Sequence, residues 1–113
     1  MDKLRISILG DGGWGTTLAI LLCQKGYAVT LWGAFDNYSK VVAQSRLNPK
    51  FLPGIRIPRK IEITSELKKA VSNKNIVVIA IPSQYTRQIL KKIKGNFNRG
   101  TIFLSVTKGI EIK

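Results

Sequence analysis

The sequence contains no histidine, one cysteine and only six acidic residues among 113. Without histidine the chain lacks the commonest general base near neutral pH. Cys23 has no second cysteine to pair with, and with no histidine beside it a zinc site would be without its usual ligands. It lies in the apolar run LAILLCQKG and is read as a small buried hydrophobe, not a nucleophile. Long apolar runs are missing too. Leu18 to Cys23 falls far short of the roughly 20 residues a membrane span needs. No signal peptide is visible, so the expectation is a cytoplasmic protein with no membrane span. The length suits one domain with one core and is too small for two, so residues 1–113 are expected to form a single unit.

Positive charge, by contrast, is abundant. Nineteen lysines and arginines give a net charge of +13 and a pI near 10.3, a balance that invites nucleic acid. The close groupings among them include Lys68 and Lys69, Lys91, Lys92 and Lys94, and Arg56, Arg59 and Lys60. They are spread over several elements. The helical pairs sit opposite apolar faces, so a solvated surface accounts for them. No helix-turn-helix, zinc-finger or RNA-recognition pattern appears, and no specific nucleic-acid partner is expected.

Apolar and β-branched runs alternate with amphipathic ones. LRISIL, YAVTLW, KIEIT, NIVVIAIP and TIFLSV read as strands. Helices are expected from Gly15 to Gly26, over DNYSKVVAQSR with Asp36 or Asn37 as cap, over SELKKAVS, and from Ser83 to Gly95. LNPKFLPGIRIPRK has three prolines and a glycine and reads as an ordered loop. The β-α alternation argues for a parallel sheet with helices on both faces. The first, fourth and fifth strands are the most apolar and read as inner strands.

Gly10, Gly12 and Gly15 match G-x-G-x-x-G between the first strand and the first helix. Gly10 permits the sharp turn, Gly12 lets backbone approach a pyrophosphate, and Gly15 lets the helix pack on the strand. The free amides of the helix N-terminus would face the phosphates. The fold class is therefore α/β, a Rossmann-type doubly wound, mostly parallel sheet. The second strand ends LWGAFD, where Asp36 is the only acid and stands a few residues late for a ribose hydroxyl. No lysine or arginine is there for a 2′-phosphate, so the cofactor is NAD or NADP, leaning toward NAD.

Four blocks, GDGGWGTTLA, NPKFLPG, IPSQYTRQIL and SVTKGIE, in this order, resemble the amino-terminal domain of NAD(P)-dependent glycerol-3-phosphate dehydrogenases over essentially the whole chain. The resemblance implies that Gly13 and Trp14 line the cofactor site; a core position on the first helical turn is the other reading for Trp14. Bacterial members often carry serine at Gly13 and a basic pair where this chain has Ala34 and Phe35. Phe35 is then placed to flank the adenine or to pack on the second helix. Tyr85 is implied beside the cofactor, at the carboxyl end of a strand. Lys108, in the K-G motif, is implied to reach both cofactor and substrate.

The implied reaction interconverts glycerol 3-phosphate and dihydroxyacetone phosphate, a precursor step for glycerophospholipids. In the family a second, helical domain holds the acid/base lysine and the phosphate-binding groups. The sequence in hand ends at Lys113, short of all of these, so no catalytic residue is assigned in it. The expectation is a dinucleotide-binding domain nearly inactive by itself. An apolar face left uncovered would favour association in solution, a homodimer among its forms. The other readings kept open are a different Rossmann dehydrogenase or a methyltransferase, and a basic nucleic-acid-binding module.

Overall fold

The computed structural model describes residues 3–106. In chain order the elements are β1 (Arg5–Leu9), α1 (Gly13–Gln24), β2 (Ala28–Trp32), α2 (Asp36–Ser45), β3 (Leu47–Asn48), β4 (Leu52–Arg56), β5 (Glu62–Thr64), α3 (Leu67–Val71), β6 (Ile76–Ile79), α4 (Ser83–Ile93) and β7 (Ile102–Ser105). Five strands form one sheet in the order β5-β2-β1-β6-β7, and every pairing in it is parallel. From β1 the chain steps one way to β2 and β5, then crosses back to β6 and β7 on the other side. The reversal lies between β1 and β6, so the loops leaving their carboxyl ends diverge there and open a crevice.

Alternation along the strands builds a core on each face of the sheet. Ile6 and Ile8 of β1 join Val29, Leu31 and Val78 with Ala19 and Ile20 of α1 and Val42 of α2. Leu9, Trp32, Val77 and Ile79 face the other way, onto Ala70 and Val71 of α3 and Ile89 and Ile93 of α4. Each face thus carries helices, as the β-α alternation implied. Cys23 is half-buried against the first cluster. Among the described residues no helix is long and apolar enough to cross a membrane.

The tertiary structure corrects the sequence reading at four places. First, the Leu47–Arg56 segment is not all loop: β3 and β4 pair antiparallel, with a register shift between Leu47 and Asn48. Proline fits there because this is a two-stranded ribbon with little ladder to interrupt. Arg46, left-handed at φ 61°, ends α2, and its guanidinium donates to the carbonyls of Ile61 (2.6 Å) and Pro58 (3.2 Å), which ties down the segment beyond the ribbon. Second, β7 is an edge strand, not an inner one, and Ile102 and Leu104 stand about half exposed. Third, α1 begins at Gly13, two residues before the expected start, with Gly12 as its N-cap. Fourth, α2 is preceded by Phe35, not capped by an Asp36 or Asn37 side chain. Asp36 is its first residue, where its charge favours the helix dipole.

Candidate functional site

The crevice at the β1–β6 reversal is a cleft of about 610 Å³. Its floor is the glycine turn, Gly10 to Gly12. One wall is the end of β2, Trp32, Ala34 and Phe35. The other is the end of β6 and the face of α4, including Ile81, Pro82, Tyr85, Ile89 and Lys92, and Phe51 closes it from the β3–β4 ribbon.

Four glycines of the turn do different work. Gly10 is left-handed at φ +128°, and a Cβ there would sit 2.5 Å from the Ala80 carbonyl oxygen. A Cβ on Gly15 would overlap the carbonyl oxygen of Gly10, and one on Gly13 would lie 2.6 Å from that of Phe51. These three allow backbone to pack on backbone. Gly12 is the exception: nothing lies within 4 Å of where its Cβ would be, and its φ of −66° is ordinary for any residue. The emptiness at Gly12 is thus not needed by the chain's own packing. It lies at the N-cap of a twelve-residue helix with no side-chain cap bond and no acid in its first turn. Unpaired amides and the positive end of the helix dipole therefore meet an open space.

The turn is braced from behind by the N-x-x-F-L-P-G segment. Asn48 is fully buried, and its Nδ2 donates to the Asp11 carbonyl oxygen (2.8 Å) and to Thr16 Oγ1 (3.0 Å). Thr16 Oγ1 in turn donates to the same Asp11 carbonyl at 3.1 Å. On the far side the Tyr38 hydroxyl donates to Asn48 Oδ1 and accepts from the Lys50 amide at 3.1 Å. Tyr38 also meets Phe51 edge to face, with ring centroids 6.1 Å apart. The motif that looked like a loop signature is a strut under the glycine turn.

Over residues 5–113 the chain matches the family described as NAD-dependent glycerol-3-phosphate dehydrogenase N-terminus. It belongs to that family. The glycerol-3-phosphate dehydrogenase [NAD(P)+] of Prosthecochloris aestuarii is 40% identical over 107 residues, covering 95% of this chain and 32% of that protein. That of Thermoanaerobacter sp. is 43% identical over 108 residues, 96% of this chain and 32% of that one. Among solved structures, glycerol-3-phosphate dehydrogenase from Coxiella burnetii superposes with a TM-score of 0.86 at 27% identity, over 91% of this chain and 32% of the other. The chain spans about a third of the length of the curated relatives it matches.

In this member of the family, Gly10, Gly12, Ala34, Phe35 and Tyr85 all line the same cleft. Phe35 is 69% exposed and Tyr85 50% exposed, so neither ring is spent on the core. Trp14 is not a core residue either: it is 51% exposed on the first turn of α1, outside the cleft walls. Gly13 and Gly15 shape the turn without lining the cleft. Lys108 lies outside the described residues. Asp36 stays out of the cleft, its carboxylate taken by Ser65 Oγ (2.6 Å) and Lys40 Nζ (3.2 Å). The Ser65 hydroxyl, then Lys40, hold it below the ordinary carboxylate range.

Sequence reasoning missed Asp11, Asn48 and Lys92. Asp11 lines the cleft, and burial pushes its carboxyl above the ordinary value of 3.8, against its own backbone amide and Lys50, which hold it down. The fold is favoured while Asp11 is protonated, and that contribution is lost as pH rises through the folded value. Asp11→Asn is therefore expected to raise the melting temperature at pH 7 and to shrink the gain in stability seen on acidifying the parent toward the aspartate range. Thermal melts across that range check this.

Proposed function

We propose that this chain is the dinucleotide-binding portion of an enzyme interconverting glycerol 3-phosphate and dihydroxyacetone phosphate with NAD(H) or NADP(H). The observation that carries the cofactor reading is the empty space at Gly12 between glycines that are otherwise packed. No protein atom within 4 Å of that point would keep a diphosphate from the amides that open α1. The adenosine half would lie in the cleft between Phe35 and α4, with Tyr85 of that helix beside the cofactor. The bound nicotinamide supplies the hydride chemistry. The chain's own groups position it: the glycine turn fixes the diphosphate, and the aromatic walls exclude water from the ring faces. Lys108, from the K-G-I-E block, is the residue proposed to meet both cofactor and phosphorylated substrate.

The same reading makes residues 1–113 one nucleotide-binding domain, with the carbinol acid/base supplied by the remaining two-thirds that the relatives possess. It places the protein in the cytoplasm, which a lone unpaired cysteine suits. Association between copies would use the half-exposed Ile102 and Leu104 of the β7 edge.

The experiment is a calorimetric titration of NADH into the 113-residue chain, repeated with excess duplex DNA at raised salt. A single saturable site in the micromolar range, unaffected by DNA, is expected. Absence of saturable NADH binding up to millimolar concentrations would overturn the reading. Loss of it to DNA at raised salt would favour the basic-module alternative.

A further inference from the structure

The glycine turn carries an acid that its own pattern does not require, and that acid is turned toward the end of β2. A Cβ on Gly33 would overlap Asp11 Oδ2 and would lie 2.7 Å from Ser39 Oγ. β1 and β2 are parallel neighbours, Leu9 beside Trp32, and the Gly10 amide donates to the Trp32 carbonyl at 2.9 Å, so the turn that follows β1 runs beside Gly33. In dinucleotide-binding sheets, the end of the second strand is where a carboxylate receives the adenine-ribose 2′-hydroxyl. Here that strand end, Gly33–Ala34–Phe35, offers no acid, and Asp36 is engaged elsewhere. Gly33 leaves the space and the Asp11 carboxylate occupies it from the glycine turn that follows β1, while lining the same cleft.

Resting on the dinucleotide reading above, we propose that Asp11 is the specificity-determining residue that selects NAD(H) over NADP(H). Its carboxylate accepts a hydrogen bond from the ribose 2′-hydroxyl and repels a 2′-phosphate at the same point. Among the described residues Asp11 forms no ion pair, and the basic side chain lining the cleft, Lys92, stands on the opposite wall, on α4. A carboxylate raised by burial, with Lys50 acting on it through space but not in ion-pair contact, weakens the fold, a cost typical of groups kept for a ligand.

The test is the ratio of NADPH to NADH dissociation constants, measured by calorimetry on the parent chain and on Asp11→Asn, Asp11→Ser, Asp36→Asn and Lys92→Ala. The parent is expected to prefer NADH by about tenfold or more. Both Asp11 variants should shift the ratio toward NADPH by about tenfold, with melting temperatures no lower than the parent's, while Asp36→Asn leaves it unchanged. An unchanged ratio in both Asp11 variants, with NADH still bound, overturns the proposal and spares the dinucleotide reading. So does a ratio that moves with Lys92→Ala and not with Asp11. A parent chain that binds neither dinucleotide overturns both.

Discussion

Gly12→Ala is expected to leave the melting temperature nearly unchanged and to remove most NADH binding, whereas Gly15→Ala is expected to damage the fold itself. The two glycines belong to one motif and differ only in what surrounds them. An alanine methyl at Gly12 meets no protein atom within 4 Å, and the backbone there is already in an ordinary conformation. Stability should therefore change by less than about 0.5 kcal/mol, as for a surface substitution. The same methyl fills the space proposed for the diphosphate, so NADH affinity should fall at least about tenfold, or 1.4 kcal/mol. At Gly15 the methyl would overlap the Gly10 carbonyl oxygen. A backbone carbonyl in a tight turn cannot rotate away, so helix and strand must separate, at a cost of about 2 kcal/mol or more. Thermal melts paired with NADH titration separate the cases. A Gly12→Ala protein that binds NADH like the parent would remove the main support for the cofactor reading.

Asn48→Ala is expected to be the most destabilising substitution outside the hydrophobic clusters. It leaves the Tyr38 hydroxyl without its acceptor, and Thr16 alone to hold the Asp11 carbonyl. It also empties volume at a fully buried position. An orphaned buried polar group costs about 1–3 kcal/mol. The summed loss should approach about 3 kcal/mol, roughly 10 °C or more in melting temperature for a domain of this size. NADH affinity should fall as well, because the peptide being held belongs to the glycine turn. Asn48→Asp should be no milder, since it sets an acceptor against the Asp11 carbonyl. A melting temperature within 2–3 °C of the parent's, about 0.5 kcal/mol, would show that Asn48 is not the strut described here.

How far the site was legible varied with the range of the interactions involved. The apolar runs of β1 and β6, four to five residues long and flanked by helix patterns, announce parallel strands because burial on both faces is written in consecutive residues. Gly26 and Gly95, left-handed at φ +100° and +84°, mark the ends of α1 and α4 through a constraint local to one residue. The β7 run TIFLSV has the same apolar look as β6 yet lies at the edge. Hydrophobicity says that a strand tolerates burial, not which neighbours it acquires. The β3–β4 ribbon was hidden because three prolines and a glycine in fourteen residues read as a break. Its pairing comes from two short segments brought together by the turn at Pro49–Phe51 and anchored through Asn48.

The candidate site divides the same way. Gly10, Gly12 and Gly15 are visible because the motif is short and follows a strand. Nothing between Leu9 and Gly15 tells that the Asp11 carboxylate will meet Gly33, just beyond the end of β2.

By itself, then, the sequence determined the alternation of strands and helices, the position of the glycine turn and the family to which the chain belongs. All of these are carried by local periodicity and contiguous motifs. Only the tertiary structure decided which strands lie at the edges, that the Asn48 segment supports the turn, and that an acid of the glycine turn stands beside the end of β2. Those outcomes depend on contacts between residues twenty or more positions apart, whose energies no local pattern of side chains encodes.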